Sequence, residues 1–124
     1  MQNRKGAYFE KGDENMKYNK LVRDKIPSII HNNGEYCDFD FLSDEEYRKK
    51  LEEKLDEEVA EYHKDKNIRE LADILEVIYA LAETQGHTPA DIEKVRKIKA
   101  EERGTFSKKI LLKETFKREE EKTL

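Results

Sequence analysis

Four carboxylates carry the strongest chemical signal in this chain. Between Leu71 and Ala82 the residues are almost all apolar, and Asp73 and Glu76 are the only charged ones. A helix apolar nearly all round belongs in an interior, where a carboxylate is costly unless it is paired or ligates a metal. Asp73 is therefore the most informative acid, and Glu70 lies one turn before it on the same face. Upstream, Glu57-Glu58-Val59-Ala60-Glu61 repeats that spacing in Glu58 and Glu61. If a tight connection at residues 65–66 joins two antiparallel helices, Glu58 stands opposite Asp73 and Glu61 opposite Glu70, each pair being equidistant from the turn. Four converging carboxylates repel one another without a cation. Oxygen donors with no Cys or His nearby select Mg²⁺, with Mn²⁺ able to substitute. The competing reading is a solvated acidic face, since 29 of the 124 residues are Asp or Glu. Glu52 and Glu53 fit that reading; the mirrored register and the apolar surroundings of Asp73 set the paired motif apart.

These acids need two helices to position them, and the capping signals supply both. Ser43 followed by Glu46 forms a capping box, with Leu42 and Tyr47 placed as a hydrophobic staple. Tyr47, Leu51, Leu55, Val59 and Tyr62 then give one narrow apolar stripe. His63-Lys64-Asp65-Lys66 is the break. Asn67 with Glu70 repeats the capping pattern and opens a second helix, central to the fold, that runs to Gln85 and stops at Gly86. Thr88 and Pro89 start a third helix with Ile92, Val95 and Ile98 as its stripe, ended by Gly104. Upstream, Pro27 belongs in the first turn of a short helix or interrupts one, and Asn32-Asn33-Gly34 reads as a turn. Cys37, Phe39 and Phe41 alternate with Asp38 and Asp40, the period of a strand, which the apolar middle of Phe106–Thr115 could pair with. The expectation is an all-α fold: three main helices, a short N-terminal helix and a minor two-stranded element.

Bulk composition narrows the class. A chain of 124 residues forms one domain. Its 44% charged residues exceed the ~25% usual in globular domains, yet the apolar residues fall in periodic runs. Slender charged helices of this kind share their core with a second subunit, so an oligomer is expected. The formal charge of −4 argues against nucleic-acid binding, and no apolar run reaches the ~20 residues that span a bilayer. The single cysteine, Cys37, excludes an intrachain disulfide, suits a reducing cytoplasm, and reads as a small core residue. His31, His63 and His87 lack metal spacing and read as surface residues; Tyr79 reads as core packing. Residues 1–15 read as a disordered leader: Lys11-Gly12-Asp13 can be encoded by a purine-rich ribosome-binding sequence ahead of a start at Met16, or the segment is a native disordered tail. Residues 16–115 form the domain and 116–124 a charged tail.

The segments KLVRDKIP at 20–27, LSDEEYRKKLEEKLDEEVAEY at 42–62, ELADILEVIYALAETQG at 70–86 and KAEERGTF at 99–106 resemble the MazG-like nucleotide pyrophosphohydrolases. More narrowly they resemble the phosphoribosyl-ATP pyrophosphohydrolase-like branch, over about residues 18–112. One departure is the short spacing between the acidic motifs, only residues 62–69, which implies a trimmed hairpin and bears on the nucleobase pocket. The resemblance implies a MazG-like all-α bundle, a homodimer or homotetramer, and Mg²⁺-dependent hydrolysis of nucleoside triphosphates to monophosphate and pyrophosphate in a house-cleaning role. Carried over, Glu58, Glu61, Glu70 and Asp73 would ligate the metal, and Glu57 or Glu61 would orient or deprotonate the attacking water. Lys99 and Arg103, one turn apart, would hold phosphate oxygens; their alternative is a pair of surface charges at the basic end of a helix. The chain has no GxxxxGK[ST] loop, which agrees with phosphate handling by metal and basic side chains. Arg23 and Lys25 are weaker candidates for the same phosphate-holding role, with solvated surface the better reading. Two alternatives stay open: phosphoribosyl-ATP hydrolysis in histidine biosynthesis, and a non-catalytic helical interaction module.

Overall fold

The computed structural model describes residues 16–119 and contains four helices. The expected leader, 1–15, and the last residues of the charged tail, 120–124, lie outside the described residues. The chain divides between Thr88 and Pro89 into two units.

In the first unit, α1 spans Ile26–Asn32 with Pro27 in its first turn, where a missing N–H costs no helical bond. It closes at Asn33, and Gly34 takes φ +87°, the left-handed conformation that glycine adopts without strain. The long helix α2, Asp44–Asp65, opens with the full capping box: the Glu46 amide donates to Ser43 Oγ at 3.2 Å and the Ser43 amide donates to Glu46 Oε1 at 3.2 Å. The Ser43 amide and then its hydroxyl, both donating to Glu46 Oε1, hold the Glu46 carboxyl below its ordinary range. The helix does not stop at His63 but continues through Asp65. Lys66 then turns left-handed, with φ 50°, and its amide donates to the Tyr62 carbonyl at 2.7 Å. Asn67 caps α3, Ile68–Thr84, by accepting the Glu70 amide at 3.1 Å. Two residues therefore join α2 to α3, and the helices pack on each other as an antiparallel hairpin.

Little of this hairpin is enclosed by one chain. Leu51 and Val77 are the buried apolar residues among those described. The central position expected of α3 is not enclosed: Ile68, Leu71 and Leu75, on one stripe, remain exposed. In the second unit, α4 spans Pro89–Arg103 and ends at Gly104, whose amide donates to the Ala100 carbonyl at 2.8 Å.

Two further expectations are corrected. Among the described residues no strand forms, neither at 36–42 nor at 106–115. Phe39 and Phe41 do share a side, with ring centroids 5.7 Å apart, but both are exposed. Alternation places side chains; a strand also needs a partner for its backbone groups. Cys37, expected in the core, is exposed on the same segment. The three histidines are exposed, as their positions near turns predict, and Tyr79 is half-buried. Among the described residues no helix is long and apolar enough to cross a membrane.

Candidate metal centre

The two-residue connection fixes the register of the hairpin, and the register fixes the acids. One carboxylate oxygen from each of Glu58, Glu70 and Asp73 lies within 4.8 Å of the others. A second triad, Glu61, Asp65 and Glu70, meets the same limit. Glu70 belongs to both. All four predicted ligands are thus brought to one stretch of the hairpin, and Asp65 joins them. Asp65 escaped the sequence reading because the helix was expected to break at residues 63–66. Its i+4 relation to Glu61 is the signal that finds it once α2 is allowed to run on.

The environments of these acids differ. Glu58 is 9% exposed, the one charged residue among those described that counts as buried. Its compensation is Lys54, one turn back, with Nζ 3.3 Å from Glu58 Oε2. Glu70 has the opposite surroundings. Partial burial, then the charges of Asp65, Asp73, Glu61 and Glu58, push its carboxyl above the ordinary range. Asp73 is half-buried and receives Arg23, whose Nη2 donates to Oδ1 at 2.7 Å. Arg23 was expected on solvated surface; sequence periodicity has no means of showing that the non-helical segment before α1 crosses to α3.

Glu57 stands apart from both triads. It accepts from Lys20 Nζ at 3.2 Å and from Lys54 Nζ at 3.3 Å. Partial burial raises its pKa, but the two lysine hydrogen bonds outweigh that and leave the carboxyl below its ordinary range. Of the two predicted catalytic acids, Glu61 is in the cluster and Glu57 is bound to cations beside it. Lys99 and Arg103 are exposed on α4 in the second unit, one turn apart as their spacing requires. Glu52 and Glu53 are exposed.

The donor set fits a hard divalent cation: five carboxylates, with no His or Cys in either triad. A further concavity, lined by Asp44, Tyr47, Arg48, Glu83 and Thr84, opens at the other end of the hairpin. Tyr47 lies eleven residues from Glu58 along α2, ~16 Å at helical rise, so the two places cannot act on the same atoms. The chain matches no protein-family model, no curated protein and no solved structure with which it was compared.

Proposed function

We propose that the chain is a Mg²⁺-dependent nucleotide pyrophosphohydrolase of house-cleaning type, built as a MazG-like helical bundle and working in the cytoplasm as a homodimer or homotetramer. The observation that carries the reading is the pair of carboxylate triads sharing Glu70, held in register by a two-residue turn. Glu58, Glu61, Glu70 and Asp73 would hold the ion, with Asp65 beside them. Bound there, Mg²⁺ would polarise phosphoryl oxygens and offset charge on the departing pyrophosphate. The chain's own groups supply the rest. Glu61, exposed at the edge of the cluster, orients the attacking water and accepts its proton. Glu57 is the weaker base, because Lys20 and Lys54 stabilise its ionised form. Water oxygen bonds to phosphorus as the bond to the oxygen bridging the α and β phosphates breaks, and the electron pair leaves with pyrophosphate. Lys99 and Arg103 are assigned to phosphate oxygens by the resemblance. Exposed Ile68, Leu71 and Leu75 on α3 support the oligomeric part of the reading.

Phosphorus NMR with a panel of ribo- and deoxyribonucleoside triphosphates, phosphoribosyl-ATP and Mg²⁺ tests it. Monophosphate plus pyrophosphate, lost in chelator and in Asp73→Ala, is the expected result. Orthophosphate as the product, or no turnover of any substrate in the panel, overturns it.

A further inference from the structure

Two of the cations at the cluster come from far away in sequence. Arg23 Nη2 lies 2.7 Å from Asp73 Oδ1 and Lys20 Nζ 3.2 Å from Glu57 Oε2, contacts that reach across 50 and 37 positions. Lys50 Nζ donates to the Asn19 carbonyl at 3.1 Å, which ties the same non-helical segment to α2. We propose that Lys20 and Arg23 are phosphate-binding residues of the carboxylate site, held beside it by Asp73 and Glu57 until a metal-bound polyphosphate chain takes their place. The proposal rests on the pyrophosphohydrolase reading and deepens it.

Chemistry favours this role over mere fastening. A nucleoside triphosphate carries more negative charge than one divalent ion offsets, so its remaining oxygens need cationic donors next to the metal ligands. Arg23 offers a planar guanidinium with five N–H donors, of which Asp73 engages one, and a phosphate is the other anion that fork fits. Both side chains are open to an incoming ligand: Arg23 is 56% and Lys20 44% exposed. Ion pairs that exposed contribute little to stability. Lys54 makes the contrast. At 17% exposure, and bound to both Glu57 and Glu58 within its own helix, it stays a counter-ion of the carboxylates. Asp73 is shared between Arg23 and the triad with Glu58 and Glu70, so an ion on that triad competes with Arg23 for its oxygens. Lys54 instead keeps Glu57 as a second partner when Glu58 turns to the ion.

Isothermal titration calorimetry of the full chain tests the assignment, first with Mg²⁺ alone and then with inorganic tripolyphosphate in Mg²⁺, a probe that carries the phosphate chain without base or sugar. Arg23→Gln and Lys20→Gln should each weaken tripolyphosphate binding by roughly tenfold, the loss expected for a hydrogen bond to a charged group. The affinity of Arg23→Gln for Mg²⁺ alone should be unchanged or higher, since a competing cation is gone. Lys25→Gln, on the same segment and exposed, should bind tripolyphosphate like the wild type. Wild-type affinity in both Arg23→Gln and Lys20→Gln overturns the assignment while leaving the pyrophosphohydrolase reading intact. Equal losses for Mg²⁺ and tripolyphosphate overturn it too, because the residues then act through the fold. Circular dichroism of each variant separates that case, and Lys20→Gln gives an independent reading if Arg23→Gln loosens the helices. A wild-type chain that binds no tripolyphosphate in Mg²⁺ overturns both readings.

Discussion

Glu70 and Glu58 bring carboxylate oxygens within 4.8 Å of each other across the α2–α3 hairpin, but their charges are met differently. Glu58 has Lys54 at 3.3 Å; the charges that face Glu70 are those of Asp65, Asp73, Glu61 and Glu58, all acidic. Removing the charge of Glu70 thus relieves repulsion without orphaning a cation. Asp73 is the poorer choice for that test, because Asp73→Ala would strip Arg23 of its partner.

The first expectation concerns metal and stability. In chelator, Glu70→Gln should melt at a higher temperature than the wild type. With Mg²⁺ at about ten times its dissociation constant, the wild type should gain about 1.4 kcal/mol, a shift of several degrees for a domain this size. Glu70→Gln should gain far less. Differential scanning calorimetry with and without Mg²⁺ reads both effects, and equal shifts in the two proteins would count against a metal site on Glu70.

The second concerns pH, and the sign follows from the direction of the shift. Because the carboxyl of Glu70 is raised in the folded chain, the folded form binds its proton more tightly than the unfolded form does. Stability is therefore lost as pH rises from the unfolded value, about 4.3, through the folded one. In chelator, the wild type should fall progressively below Glu70→Gln in melting temperature across that window. Glu57, whose pKa is lowered, behaves oppositely: its contribution is present above the ordinary carboxylate range and fades as pH drops through its folded value. Glu57→Gln should lose stability at neutral pH and match the wild type in acid.

Much of this arrangement was legible in the residues. Ser43 with Glu46 and Asn67 with Glu70 mark helix starts by local hydrogen bonds that need no tertiary context. Once both starts and a tight connection between the helices are granted, helical geometry pairs Glu58 with Asp73 and Glu61 with Glu70. What sequence did not give depends on long-range contact. Arg23 reaches Asp73 along a segment with no periodicity to fix its path. The alternation through Phe39 and Phe41 shows which side chains share a side and says nothing of whether a neighbour exists to pair with them. The apolar sequence of α3 signals burial without naming what would cover Ile68, Leu71 and Leu75.

The third expectation isolates the cap. Ser43→Ala removes the acceptor for the Glu46 amide and the hydroxyl that donates to Glu46 Oε1, leaving only the backbone amide of position 43 on that carboxylate. A loss of about 1 kcal/mol is expected by urea denaturation, with an unchanged dependence on denaturant. Hydrogen exchange should quicken in the first turn of α2 and leave Glu58 and Glu61, several turns on, as protected as before.

The fourth concerns assembly. Leu71 and Leu75 are 45% and 44% exposed and sit on the stripe of α3 with Ile68, which is 76% exposed. With Leu51 and Val77 the buried apolar residues among those described, the hairpin alone has a thin core for its length. A second copy covering that stripe would remove it from water at ~25 cal/mol per Å². Sedimentation equilibrium should then give a dimer or tetramer for the wild type, and Leu71→Lys/Leu75→Lys should shift it toward monomer. The monomeric variant should also melt at a lower, concentration-independent temperature, since stability that depends on association is lost with it. A wild type that sediments as a monomer at all concentrations, with the double variant equally stable, would mean the stripe is simply tolerated surface.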